Sequence, residues 1–164
     1  MAKLKEEKTN VMRILEQHGI PYTPHTYEHE EGVAVDGVTV ARSLNQDPEC
    51  VFKTLVARGA SKGIYVFAIP VADSLDLKKA AKSVGEKSIE MVAVKEINAL
   101  TGYVRGGCSP VGMKKEYPTV FHETAEIIDT IMVSAGKIGY QVELAPDALI
   151  ELVGGTIADV IVDS

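Results

Sequence analysis

VFKTLVARGASKGIYVFAIPV, residues 51–71, holds two runs rich in β-branched and aromatic residues on either side of GASKG. Both runs have strand composition, and the small residues between them predict a hairpin with a loop of about 3 to 5 residues. The segments around this hairpin alternate between helical and strand patterns. A purely parallel sheet cannot contain such a hairpin, so the chain is expected to be α/β (α+β) with a mixed sheet. Strand alternation puts Lys53 on one face with Val51, Leu55 and Ala57, and Phe52, Thr54 and Val56 on the other. Both faces are apolar, so an amine at Lys53 needs a reason. It either snorkels to the sheet rim or projects into a cleft to hold an anion or a developing oxyanion.

Working outward, LKEEKTNVMRILEQHGIP predicts an opening helix with Leu4, Val11, Ile14, Leu15 and His18 on one face, stopped by Gly19 and Pro21. PYTPHTYEHEEG suits an extended edge segment, and VTVARSLNQ a short helix with Val40, Ala41 and Leu44 inward. On the other side of the hairpin, SLDLKKAAKSVG spaces Leu77, Ala80, Ala81 and Val84 as an inward helical face ending at Gly85. VKEINAL predicts another helix, ended by Gly102. Strands are expected in TVFHE, TIMVSAG, GYQVELA and IADVIVD, with a helix over PDALIELV between the last two. No repeat or linker divides residues 1–164, which are read as one domain.

The 164 residues are 46% hydrophobic, enough for a sizeable core without disulfides. Two cysteines without paired spacing, and no apolar run of spanning length, favour a cytoplasmic protein with free thiols and no membrane association. The net charge of −6 is unevenly spread. Residues 1–52 carry −4, residues 53–115 carry +6 and residues 116–164 carry −8. Local basicity can attract a polyanion despite the overall sign, because screening limits the field to roughly 8–10 Å at physiological salt. Within that basic third, Lys78, Lys79 and Lys82 share the exposed side of the SLDLKKAAKSVG helix. They read either as a solvated face or as phosphate contacts.

TGYVRGGCSPVG, residues 101–112, is rich in glycine and could form a nest of backbone N–H groups around an anion, or simply a tight corner. It has neither the P-loop ending nor the dinucleotide fingerprint. Cys108 within it would need a depressed pKa and a nearby base to act as nucleophile, and a small buried hydrophobe is the better reading. His25 and His29, flanked by glutamates, do not suit zinc, because Pro24 opposes a helix and positions i and i+4 on a strand lie far apart. No metal or other cofactor is expected.

HTYEH, VFKTLVA, LDLKKAAKSVG, TGYVRGGCSPVG and VSAGKIG, in this order over nearly the whole chain, resemble the YbaK family of aminoacyl-tRNA deacylases, known also from editing domains of prolyl-tRNA synthetases. The resemblance implies a strongly curved, barrel-like mixed sheet with peripheral helices. It implies trans-editing hydrolysis of mischarged tRNA for proline, chiefly Cys-tRNA(Pro). It also implies that the substrate's own thiol attacks its ester. Carried over, the essential lysine is Lys53, the paired glycines are Gly106 and Gly107, and the pocket residues are Tyr27, Ser109, Pro110, Ser134, Ala135 and Gly136. The acceptor stem would follow Lys78, Lys79, Lys82 and Arg105. Cys108 departs from the family pattern, which usually has an apolar or small unreactive residue there. Partners implied are aminoacyl-tRNA and, for tRNA selection, a transient complex with prolyl-tRNA synthetase, the protein itself being a monomer or weak dimer. Two alternatives stay open: a deacylase for Ala-tRNA(Pro) or another small aminoacyl-tRNA that activates a water, and a non-catalytic tRNA-binding relative.

Overall fold

The hairpin forms as the sequence predicts. In the computed structural model, which describes residues 8–163, β2 (Phe52–Gly59) and β3 (Ile64–Pro70) pair antiparallel, from Phe52 opposite Pro70 to Arg58 opposite Ile64. Ahead of it lie α1 (Asn10–Gln17), β1 (Tyr22–Thr26) and α2 (Gly37–Ser43). After it come α3 (Leu77–Val84), β4 (Ile89–Met91), α4 (Val94–Thr101), β5 (Thr119–His122), β6 (Ile131–Ser134), β7 (Tyr140–Leu144), α5 (Pro146–Val153) and β8 (Thr156–Ala158).

The strands make two sheets. One has the order β4-β2-β3-β5-β8, with the hairpin antiparallel and the pairs β3–β5 and β5–β8 parallel. The other is antiparallel, β1-β7-β6, with the proline-containing β1 at its edge, where a missing N–H is tolerated. They meet where Val51 bridges Met132 and the Met132 N–H donates to the Cys50 carbonyl at 2.9 Å. The mixed sheet is therefore found, and no closed barrel forms among the described residues. Among the described residues one bridge, Val51 to Met132, joins the two sheets.

The main core lies between these sheets and two helices. Phe52, Ala68 and Phe121 from the larger sheet meet Val133, Val142 and Leu144 from the smaller, with Val11 and Leu15 of α1 and Leu149 of α5. Fully burying side chains of this size is worth about 1.5–3 kcal/mol each, which fixes how α1 and α5 sit. On the opposite face of the larger sheet, Ala80 and Ala81 of α3 pack on Phe67, Ile69 and Val120.

Several local expectations need correction. In α1, Met12 is buried while His18 is the exposed C-cap, since the helix begins only after Thr9, whose side chain accepts the Met12 N–H. Leu4, assigned to the same face, lies outside the described residues. Leu77 is exposed because it is the first residue of α3, where the two alanines make the close approach. The last strand stops at Ala158, and only an isolated bridge, Leu75 to Ile161, continues it.

Candidate functional site

A cavity of about 550 Å³ opens where β1, α2, β2, β6 and the glycine-rich loop converge. Its lining includes five of the residues singled out from sequence: Tyr27, Lys53, Arg105, Gly106 and Ser134. Tyr27 follows β1 and is held by its backbone N–H on the Gly139 carbonyl at 3.0 Å, with the His29 ring edge-on at 6.1 Å. Lys53 enters from the start of β2, opposite Ile69. Its amine has no hydrogen-bond or ion-pair partner among the described residues, and burial lowers its pKa, partly offset by the charge of Asp73.

The two glycines divide their work. Gly106 has φ +85°, and a Cβ there would stand 2.7 Å from the Ala34 Cβ, so the loop ahead of α2 closes directly over it. Gly107 lies outside the cavity lining and rests on residues 137–138, where a Cβ would come within 3.0 Å of the Ile138 nitrogen. Its N–H donates to the Val104 carbonyl at 3.0 Å, which removes it as an oxyanion donor. Gly106 is the member of the pair that lines the cavity.

Four of the predicted pocket residues lie outside this cavity. Ser109 is fully buried and its hydroxyl accepts the Val111 N–H, while Pro110 lines a separate cavity of about 470 Å³ behind the loop. Ala135 sits in the main core, and Gly136 lies against the Tyr103 ring. Ser134 does reach the cavity, with its hydroxyl accepting the Gly136 N–H at 3.1 Å. Of the carried-over set, Ser109, Pro110, Ala135 and Gly136 therefore fall outside this cavity.

Cys108 borders the cavity, but burial pushes its thiol up to about 11. His25 is paired with Glu143 at 2.8 Å, His29 donates to the Tyr27 carbonyl, and His122 accepts the Val160 N–H. Each candidate base is therefore engaged elsewhere, and the thiol is held neutral at physiological pH.

Residues 32–152 match a family model described as an aminoacyl-tRNA editing domain. The chain belongs to that editing family. A curated relative from Enterococcus faecalis, named as a Cys-tRNA(Pro)/Cys-tRNA(Cys) deacylase, EbsC, is 47% identical over 161 residues, covering 98% of each chain. Two crystal structures share the fold. One, titled as a trans-editing enzyme for prolyl-tRNA synthetase, has TM-score 0.79 at 24% identity, covering 93% of this chain and 95% of that one. The other, a hypothetical protein, has TM-score 0.82 at 22% identity and covers 95% and 100%.

For an editing domain, the α3 lysines are arranged differently from expectation. Lys78 and Lys82 are exposed, but Lys79 is locked to the C-terminal segment through Asp159 at 3.0 Å, Asp163 at 2.7 Å and the Ile161 carbonyl at 2.9 Å. The expected strip of three is corrected to two, because acidic partners distant in sequence return beside α3. Sequence reasoning also missed Gln141, Thr54 and Ala34 in the cavity wall. Gln141 and Thr54 each bury a side-chain oxygen that has no hydrogen-bond partner among the described residues. A lone polar residue on an alternating strand reads as solvent-facing, so YQVEL carried no signal for Gln141.

Proposed function

We propose that this editing domain acts in trans on tRNA for proline carrying the wrong amino acid, chiefly cysteine, and releases it without a protein nucleophile. The observation that carries the reading is the half-buried Lys53 amine, without a partner among the described residues, in the same cavity lining as Gly106 and beside a thiol that is held neutral. Lys53 supplies positive charge where the ester oxygen develops negative charge, in a partly desolvated site where such charge acts strongly. The 47% identity to a protein named for this substrate supports the choice of cysteine. Cysteine and proline differ too little in volume for one binding pocket to separate them well, so a second sieve is useful.

In the step we favour, the substrate's side-chain sulfur attacks its own ester carbonyl. A C–S bond forms, the C–O bond to the terminal ribose breaks, and the thiol proton ends on the departing ribose oxygen. The product is a cyclic thioester that water opens later. Holding thiol and carbonyl in one molecule supplies the effective concentration that an enzyme nucleophile would otherwise provide. Tyr27 and Ser134 shape the walls. Exposed Arg105 at the mouth, with Lys78 and Lys82, meets phosphates of the acceptor end, and a transient complex with prolyl-tRNA synthetase selects the tRNA.

The test is deacylation of proline tRNA charged with cysteine, alanine or serine by wild type, Lys53→Ala and Cys108→Ala. Preferential release of cysteine, slow Lys53→Ala and normal Cys108→Ala are expected. Equal release of alanine and serine would replace the substrate thiol with an activated water. Loss of activity in Cys108→Ala alone would move the reacting sulfur to the protein.

A further inference from the structure

Gln141 is 7% exposed, lines the cavity, and keeps its side-chain Oε1 without a hydrogen-bond partner among the described residues. On β7 it stands opposite Ser134 of β6 and His25 of β1. Its sequence neighbour Val142 points into the main core, so pleating turns Gln141 to the cavity side of the smaller sheet. Neither cross-strand neighbour bonds it: the Ser134 hydroxyl accepts the Gly136 N–H and makes no bond to the Gln141 Oε1, and His25 is paired with Glu143. A buried acceptor left unpaired is destabilising, and such an atom in a cavity wall calls for a donor from a ligand.

We infer that Gln141 accepts a hydrogen bond from the primary α-amine of the aminoacyl group and thereby selects substrates with a freely rotating amine over proline. This rests on the editing reading above. Three substrate donors are conceivable: the amine, the thiol and the ribose hydroxyl. The thiol must give up its proton in the reaction. The ribose belongs at the mouth, where Arg105 and Gly106 are exposed, whereas Gln141 lies deep in the wall. The amine is the donor left. The other cavity charges do not compete for it. Lys53 and Arg105 would repel an ammonium, and the Asp36 carboxylate is exposed to solvent and already caps α2 through the Thr39 N–H at 3.1 Å and hydroxyl at 2.6 Å. A neutral amide oxygen accepts from the amine in either protonation state. In proline, one ring ties the nitrogen to the side chain, so the N–H cannot turn to Gln141 independently of the group that fills the rest of the pocket.

A two-by-two comparison tests this: wild type and Gln141→Met, each on cysteinyl-tRNA and on mercaptopropionyl-tRNA, which keeps the thiol and lacks the amine. Gln141→Met preserves length without the acceptor. Its kcat/KM on cysteinyl-tRNA should fall roughly 10- to 100-fold, as for one hydrogen bond to a charged donor. On mercaptopropionyl-tRNA it should match wild type, which also shows that the site is intact. Gln141→Glu, which keeps an acceptor, should recover most of the cysteinyl rate, and Gln141→Met should narrow the preference for cysteinyl over prolyl ester by the same factor it loses on cysteine. Equal loss on both thiol substrates, or loss on neither, overturns the assignment to Gln141 alone. A wild-type protein inactive on cysteinyl-tRNA overturns the editing reading and this inference together.

Discussion

Gly106→Ala tests the close approach that shapes the mouth of the cavity. Two costs follow from the structure. At φ +85° a side chain is strained by about 1–2 kcal/mol. The new Cβ would also stand 2.7 Å from the Ala34 Cβ and 3.1 Å from its Cα. Ordinary carbon contacts are about 3.5–4.0 Å, so the loop ahead of α2 must move outward by about 1 Å, and overpacking of this kind costs about 1–3 kcal/mol. Together these predict about 2–5 kcal/mol of lost stability, or a fall in Tm on the order of 4–20 °C for a chain of this size. The displaced segment is cavity wall, so single-turnover deacylation of cysteinyl-tRNA should fall about 100-fold at a temperature where the variant remains folded. Adding Ala34→Gly removes the nearest contact but not the backbone strain. The double variant should regain roughly half of the stability and most of the rate. Thermal melts and rates of wild type and the two variants decide the matter: a Gly106→Ala protein within about 0.5 kcal/mol and twofold of wild type, or no recovery on adding Ala34→Gly, would refute the reasoning.

Lys53→Met should lower kcat by about 10²–10³-fold, the usual loss when one oxyanion-stabilising group is removed. The same change should leave the protein at least as stable as wild type at neutral pH. The lowered pKa of Lys53 means that folding disfavours its charge, a cost present below its folded pKa and relieved as pH rises toward the unfolded value, so a lower Tm in Lys53→Met would contradict this. Cys108 has the opposite sign: its thiol, held at about 11, lets the folded state retain a proton that the unfolded chain loses from about pH 8.5 upward. Stability should therefore decline between about pH 9 and 11, and denaturant titrations of Cys108→Ala should show a shallower decline, with slow alkylation of the wild-type thiol at pH 7. Lys79→Gln should lower Tm by releasing the C-terminal segment, yet leave the salt dependence of tRNA binding unchanged. Lys78→Gln with Lys82→Gln should flatten that dependence, measured as affinity against salt concentration.

Much of the architecture was legible because it depends on short-range pattern. The hairpin of residues 51–71, the strand at Tyr22–Thr26 and the helix over Pro146–Val153 each follow from local periodicity and stop residues. Ile89–Met91 was missed, since three residues show no period, and they form a strand only because Ala57–Gly59 offers an edge. Within the site, Lys53 stood out as a charge on a doubly apolar strand, and its half-burial is what that pattern implies. Cys108 read better as a small buried hydrophobe than as a nucleophile, and its burial agrees. Lys79 looked free because Asp159 and Asp163 lie some eighty residues away.

By itself, then, the sequence determined the order and type of most elements, the mixed sheet, the anomalous lysine and the family. Tertiary structure alone decided that Gly106 and not Gly107 lines the cavity, that Ser109, Pro110, Ala135 and Gly136 lie outside it, and that Gln141 joins its wall. The physical reason is the range of the forces involved. Periodicity and turn chemistry act over a few residues, whereas burial, desolvation and charge pairing depend on what the rest of the chain brings within a few ångströms.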